Sequence, residues 1–165
     1  MPAAVTIRDA AEKDMDALVE LVGMLFAIES DFQPDARKQR RGLALLLRPG
    51  APRPASSLVL VAEDSEAGAG TERVAGMATA QVLISTAEGG PALLVEDVVV
   101  RPVARGRGIG RALLERIADW GAELGATRIQ LLTDKDNAAA AGFYAACGFF
   151  PTNLVCLRRL LPAGK

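Results

Sequence analysis

The sequence predicts a mixed α/β (α+β) fold, with a first half rich in hairpins and a second half that alternates strands and helices. In the first half, β-branched and apolar segments are separated by turns rich in Gly, Pro and Ser. In the second half, two segments with a helical period alternate with strand segments. A length of 165 residues is enough for one domain with a hydrophobic core and hardly enough for two. We therefore expect a single domain over residues 1–165.

The first half predicts four strands and two helices. Apolar residues recur with a helical period from Met15 to Phe26, so a first helix ends near Glu29. Pro34 can open a second helix that ends at Leu47, before the segment Arg48-Pro49-Gly50-Ala51-Pro52. The predicted strands are 6–8, 58–62, 74–85 and 92–100. The last of these is the most apolar, so we expect it to be central in the sheet.

The second half predicts two helices and two further strands. Helix 108–124 has Leu113, Leu114, Ile117, Trp120 and Leu124 on its buried side, and Gly125 is placed to cap it. Strand 128–133, helix 137–147 and a last strand, 154–161, complete the chain. The predicted order is β-α-α-β-β-β-α-β-α-β.

Composition excludes several classes of function. The formal net charge is −1, which favours neither nucleic acid nor an anionic membrane as a partner. The chain has no histidine, and its two cysteines have neither the number of a disulfide framework nor the spacing of a metal site. The start of the chain lacks a basic segment followed by an apolar stretch. We expect a cytoplasmic protein with no metal, no membrane and no nucleic acid among its partners.

A loop rich in glycine and arginine follows the apolar strand. Residues 101–111, which follow Val100 and extend into the start of the next predicted helix, contain three glycines and four arginines. Glycines let backbone N–H groups turn toward a ligand, and a helix N-terminus adds roughly half a positive charge. The dinucleotide pattern G-x-G-x-x-G and the G-x-x-x-x-G-K-[ST] loop are both absent. The loop therefore predicts a diphosphate site that is neither of the dinucleotide-binding type nor of the P-loop type.

Arg105-x-x-Gly108-x-Gly110, between an apolar strand and Ala112-Leu113-Leu114, resembles the acetyl-CoA signature of GCN5-related N-acetyltransferases (GNAT). The resemblance covers roughly residues 92–150. It implies a mostly antiparallel sheet of six to seven strands flanked by about four helices. It assigns pantetheine contacts to the strand end and diphosphate contacts to the loop. The implied cofactor-binding residues are Val98, Val99, Val100, Arg105, Gly106, Arg107, Gly108, Ile109, Gly110, Arg111, Asn137 and Tyr144.

The segment 134–149 resembles the second recurring stretch of the family. Helical spacing places Asn137, Ala141 and Tyr144 near one face, with small residues between the polar ones. The resemblance makes Tyr144, the only tyrosine, the general acid that protonates the departing thiolate of coenzyme A. Asn137 also fits a helix N-cap, and both roles can hold together.

Glu96 and Asp97 interrupt the apolar strand, where a buried carboxylate without a partner is costly. At least one should face a polar cavity, and burial would raise its pKa toward a range useful for a general base. Of the two we select Glu96. The alternative, a carboxylate paired with an arginine and inactive in chemistry, stays open, and many members of the family use no dedicated base.

The resemblance implies an N-acetyltransferase in which an amine attacks acetyl-CoA directly. The acceptor, a small-molecule or peptide amine, is not identified by the sequence. In the family the acceptor side is built from the first two helices, here about 13–48, and from loops opposite the cofactor, here 26–33 and 85–90. Dimers are common in the family, so a homodimer stays open. The alternative function is a noncatalytic acyl-CoA-binding sensor or interaction module.

Overall fold

The computed structural model describes residues 4–47 and 56–162. The chain divides into two compact units, Met1–Leu131 and Leu132–Lys165. The single domain expected from the length stays a prediction. The residues expected to close the second helix, 48–52, lie outside the described ranges.

The first unit contains one five-stranded sheet of order β1-β2-β3-β4-β5. Neighbours from β1 to β4 pair antiparallel, and β4 and β5 pair parallel. The strands are β1 (Val5–Asp9), β2 (Ser57–Asp64), β3 (Val74–Ser85), β4 (Gly90–Val100) and β5 (Ile129–Leu131). The predicted mixed, mostly antiparallel sheet is confirmed, and β3 has the predicted bounds. The most apolar strand, β4, is interior and paired on both sides, but β3 lies in the middle.

Within residues 4–47 and 56–162, three α-helices belong to the first unit and one to the second. They are α1 (Met15–Ile28), α2 (Ala36–Leu47) and α3 (Ile109–Glu123), followed by α4 (Ala138–Ala146). Single 3-10 turns lie at Glu12–Asp14, Gly70–Arg73 and Pro102–Ala104. Within the described ranges, no helix is long and apolar enough to cross a membrane.

The core of the first unit forms where the predicted apolar faces of the helices meet the sheet. Leu18 and Leu21 of α1 are fully buried, as are Met77 of β3 and Leu113 and Ile117 of α3. The predicted buried side of α3 is confirmed except at Leu124, which is only half-buried and lies just after the helix. Gly125 then turns the chain with a φ of +74°, as a residue that follows a helix end commonly does.

The last predicted strand, 154–161, is wrong. No strand follows α4 in the described part of the chain, which gives five strands in place of the predicted six to seven. Consecutive residues Leu154 and Val155 are 86% and 81% exposed, so neither face of this segment is covered. The apolar pattern here is compatible with a strand, but a strand exists only when its backbone pairs with a neighbour.

A buried arginine fixes the end of β4. Arg101 is 7% exposed, and its Nε donates to the carbonyl oxygen of Val74 at 2.8 Å. Its two Nη atoms donate to the carbonyl oxygen of Thr71 at 3.0 Å and to Oε1 of Glu20 in α1 at 2.7 Å. One guanidinium thereby joins β4, the start of β3 and α1, and the loop that follows β4 begins from a fixed point.

Substitution Arg101→Gln should lower the free energy of unfolding by about 2 kcal/mol, because two carbonyls and a carboxylate lose a charged donor. The matched control is Arg40→Gln, which breaks the exposed Arg40–Asp16 pair of 2.6 Å and should cost less than about 0.5 kcal/mol. Urea unfolding of both variants measures the difference. Equal losses would show that burial adds nothing to the Arg101 contacts.

Candidate functional site

The site begins where β4 loses one of its two neighbours. The parallel partner β5 pairs with β4 only at Leu93, Leu94 and Val95. From Val98 to Val100, β4 remains paired with β3 through Gly76, Met77 and Ala78. Among the described residues, the β5 side of this stretch has no strand partner, so backbone N–H and C=O groups along that edge can bind a ligand.

A β-bulge lies at the point where the two strands separate. Ala78 pairs with Val98 and Ala80 with Val95, so Glu96 and Asp97 together lie opposite the single residue Thr79. Such a bulge changes the alternation of side chains along the strand. The alternation read from the sequence therefore cannot be extended through Glu96 to the end of β4.

The bulge gives the two carboxylates different surroundings. Asp97 accepts a hydrogen bond at Oδ2 from Oγ1 of fully buried Thr79 at 2.7 Å, and its own N–H donates to the same Oγ1 at 3.2 Å. Burial raises the pKa of Asp97 above the ordinary value of 3.8, against the lowering effect of the Thr79 hydrogen bond. Glu96, the residue selected from the sequence, is exposed. Thr79 was missed, although a lone hydroxyl within the apolar run Ala75–Ala80 is a signal.

The loop after β4 is held open by two glycines. Following the turn Pro102–Ala104, residues 105–108 are exposed to solvent. Gly106 and Gly108 have φ values of +76° and +78°, in the left-handed region that favours glycine. No other atom lies within 4 Å of where a Cβ would stand at either glycine, so backbone conformation rather than crowding requires glycine here.

The loop ends on the N-terminus of α3. Gly108 is the N-cap residue, and the N–H of Ala112 donates to its carbonyl oxygen at 3.0 Å as the first bond of the helix. The N–H groups of residues 109–111 therefore precede the helical hydrogen-bond ladder. Ile109 is 3% exposed and anchors this helix end in the core. Open amides, a helix N-terminus and nearby arginines together fit a diphosphate group.

The arginines of the loop differ in their contacts. Arg105 donates from Nε to the carbonyl oxygen of Val100 at 3.2 Å. Arg107 donates from Nη1 to Oδ2 of Asp64 at 2.5 Å. Arg111 is exposed on the first turn of α3 and has contacts of its own. Arg101, counted with the cluster from the sequence, is buried and structural.

The second unit contains the other two predicted site residues. Asn137 is the N-cap of α4, and its Oδ1 accepts a hydrogen bond from the N–H of Ala140 at 3.0 Å. The N-cap role that the sequence left open is thus confirmed, and the side-chain NH₂ group of Asn137 is not used in that bond. A cofactor contact by Asn137 stays a prediction.

Tyr144 is half-buried in α4 between two aromatic rings. Its ring centroid lies 5.1 Å from that of Phe143 and 5.8 Å from that of Phe149, in an edge-on arrangement with the latter. Gly148, with a φ of +88°, turns the chain so that the N–H of Phe149 donates to the carbonyl oxygen of Tyr144 at 3.0 Å. The Gly148-Phe149 pair therefore ends α4 and packs an aromatic ring against the tyrosine.

The two segments that the sequence assigns to the acceptor side, 26–33 and 85–90, differ in what they expose. Phe26 and Phe32 stack with centroids 5.2 Å apart, and Phe32 is 45% exposed. Glu88 is already bound, because Oε2 accepts from Oγ1 of Thr127 at 2.6 Å and Oε1 from Nη1 of Arg128 at 3.4 Å. Among the described residues no group of three or more Asp, Glu, Cys or His side chains could hold a metal ion.

The predicted site residues fall into two sets. In the first unit, Glu96, Asp97, the strand end 98–100 and the loop 105–111 follow one another along the chain from β4 to α3. The second unit carries Asn137 and Tyr144 on α4. Asp64, which holds Arg107, was missed, and the predicted strand ends before it, at residue 62. The pair of carboxylates that follows the apolar run 58–62 is the signal that was available.

The model of the acetyltransferase (GNAT) family matches residues 22–149 of this chain. Streptothricin acetyltransferase of Streptomyces lavendulae is 42% identical over 57 residues, which are 34% of this chain and 30% of that protein. Glucosamine 6-phosphate N-acetyltransferase 1 of Oryza sativa subsp. japonica is 36% identical over 103 residues, or 61% of this chain and 57% of that protein. The chain thus spans about a third of the length of the first relative and somewhat over half of the length of the second.

Solved structures show the same fold. An aminoglycoside acetyltransferase from an uncultured soil metagenomic sample, crystallised with trehalose, superimposes with a TM-score of 0.71 at 21% identity. The match covers 95% of this chain and 96% of that one. At this level of identity the comparison supports the fold alone.

Proposed function

Because this chain belongs to the acetyltransferase (GNAT) family, we propose that it transfers the acetyl group of acetyl-CoA to an amine. The observation that carries the proposal is the loop 105–108, with two glycines in the left-handed region, running from a half-paired strand end onto a helix N-terminus. That arrangement offers an extended polar edge next to an anion cradle. An acyl donor with a pantetheine arm and a diphosphate has that order of chemical groups.

In the proposed complex, the backbone of Val98 to Val100 binds the pantetheine arm and the amides of 105–111 bind the diphosphate. The N-terminus of α3 supports this assignment, since an anion there gains from both backbone hydrogen bonds and the helix dipole. Arg105 and Arg111 add positive charge at the two ends of the loop. Asn137 and Tyr144, on α4, are the predicted contacts of the second unit.

The proposed reaction is direct attack. The unprotonated acceptor nitrogen forms a bond to the thioester carbonyl carbon, the C–S bond breaks, and the sulfur leaves with its electron pair. The nitrogen loses one proton to a base, and the sulfur receives one proton from the Tyr144 hydroxyl. A phenol with an ordinary pKa of about 10 is protonated at neutral pH and can donate to a thiolate. Backbone N–H groups of β4 polarise the carbonyl oxygen.

For the proton acceptor, burial supports Asp97 in preference to Glu96, which the sequence analysis selects. Burial raises the pKa of Asp97, so its carboxylate binds a proton more strongly than a carboxylate with an ordinary pKa. The hydrogen bond from Thr79 fixes the orientation of the Asp97 carboxylate. Glu96 is exposed on the same bulge and stays the alternative base.

For the acceptor, we propose a polar small molecule that carries an amine, with aminosugars as the first class to assay. The support is that the two sequence relatives are named for glucosamine 6-phosphate and for streptothricin. The surface near Phe26 and Phe32 offers an exposed aromatic edge on which a sugar ring could pack.

Substitution Tyr144→Phe should lower kcat about 100-fold and leave the affinity for coenzyme A within about twofold, because only the proton donor is lost. The assay is thiol release from acetyl-CoA with a panel of aminosugars, aminoglycosides, polyamines and peptide amines. Calorimetry with coenzyme A supplies the binding control. Phe143→Leu is the matched variant, since it alters a neighbouring ring without removing a hydroxyl. Binding of coenzyme A with no thiol release for any acceptor would favour a noncatalytic acyl-CoA-binding module.

Substitution Asp97→Asn should remove the acidic limb of the pH profile of kcat/KM and lower kcat/KM about 100-fold at neutral pH. The wild-type rate should fall as pH drops through the pKa of Asp97, which lies above 3.8, because the proton then occupies the base. Glu96→Gln is the matched variant and should retain the limb. Loss of the limb in Glu96→Gln alone would instead identify Glu96 as the base.

A further inference from the structure

Asp64 is a buried carboxylate on the strand next to the loop, and nothing in the proposed reaction uses it. It is the last residue of β2 and is only 4% exposed. Its Oδ1 accepts from the N–H of Glu66 at 3.1 Å and its Oδ2 from Arg107 at 2.5 Å. Both oxygens are therefore bound, one to its own turn and one to the predicted diphosphate loop.

The partner of this carboxylate occupies a particular place in the loop. Arg107 stands between Gly106 and Gly108, the two residues with φ values near +77°. Glycines in this region cost the most conformational entropy when they become ordered, so a flexible loop of this kind needs an anchor. The Arg107 side chain is 41% exposed and the Asp64 side chain only 6%, so the carboxylate that anchors the arginine is buried.

The surroundings hold Arg107 at this place. Arg107 and Asp64 line the same cleft of about 450 Å³, together with Glu66 and Glu72. The hydrogen bond from Arg107 is the largest cause of the lowered pKa of Asp64, followed by the backbone N–H of Glu66. Asp64 is therefore ionised at neutral pH, and its charge would oppose a diphosphate nearby unless Arg107 neutralises it.

We propose that Asp64 is a positioning residue for the diphosphate loop: its carboxylate holds the Arg107 side chain and so fixes Gly106 and Gly108 with the amides of α3 open toward the ligand. Arg107 then acts as an anchor and contributes its backbone N–H, and Arg105 and Arg111 add positive charge to the loop. This inference rests on the proposed function, because it assumes that the loop binds the diphosphate of coenzyme A.

Substitution Asp64→Asn should weaken coenzyme A binding about tenfold, since loss of a charge-assisted bond frees the loop. Arg107→Gln should weaken binding by more, because it also leaves the Asp64 charge unpaired near the diphosphate. The double variant Asp64→Asn with Arg107→Gln should bind about as well as Asp64→Asn alone, which is better than Arg107→Gln. Calorimetric titration of all four full-length proteins with coenzyme A measures this cycle.

The matched control is Glu63→Gln, one residue away on β2, where a carboxylate also meets an arginine, Arg8, at 2.6 Å. It should leave the affinity for coenzyme A within about twofold of wild type. Hydrogen exchange distinguishes a positioning role from a general stabilising role. Loss of a positioning contact speeds exchange in the loop alone, whereas loss of a stabilising contact speeds exchange throughout the protein. Asp64→Asn should speed exchange of the amides of 105–110 and leave exchange in the core strands β2 and β3 unchanged. Each protein is measured at the same interval below its own melting temperature.

The outcomes separate this inference from the proposed function. If wild-type protein does not bind coenzyme A, the proposed function fails. If wild type binds and Asp64→Asn binds equally or more tightly while Arg107→Gln loses affinity, Arg107 is a direct ligand of the diphosphate and the positioning role is overturned. If exchange in Asp64→Asn rises throughout the chain, the residue serves stability in general and the inference is likewise overturned.

Discussion

The separation of β5 from β4 after Val95 is the constraint on which the rest of the first unit depends. From Leu93 to Val95, β4 is an ordinary interior strand that pairs with a neighbour on both sides. Beyond it, one edge of the strand is released from the sheet while the other stays fixed to β3. A polar edge that is rigid but not used by the sheet is suited to bind an extended ligand, because ordering it costs nothing at the moment of binding.

The elements around this edge keep it in place. The bulge at Glu96 and Asp97 lies where the strands part, and the Asp97–Thr79 contact joins its two sides. The buried guanidinium of Arg101 ties the end of β4 to β3 and α1. From this fixed end the glycine loop leads to α3, whose first residue, Ile109, is embedded in the core. Strand end, loop and helix start thus form one supported path.

The sequence predicted the elements of this path but not their pairing. The bounds of β3, the buried face of α3 and the glycine loop follow from patterns within single segments. The bulge does not, because it is a mismatch in residue count between two strands, and so the choice between Glu96 and Asp97 could not be made from one strand. The failed strand at 154–161 has the same origin, since its apolar pattern carries no information about a partner. Asp64 was missed because its partner, Arg107, is 43 residues away.

The most direct test of this account is a calorimetric titration of the full-length protein with acetyl-CoA, with ATP and NAD as controls. ATP and NAD share the phosphates and adenine but lack the pantetheine arm that the free edge of β4 would bind. We expect micromolar affinity for acetyl-CoA, and affinities at least about 100-fold weaker for ATP and NAD, equivalent to roughly 2.7 kcal/mol. Equal binding of all three, or no binding of acetyl-CoA to folded protein, would contradict it.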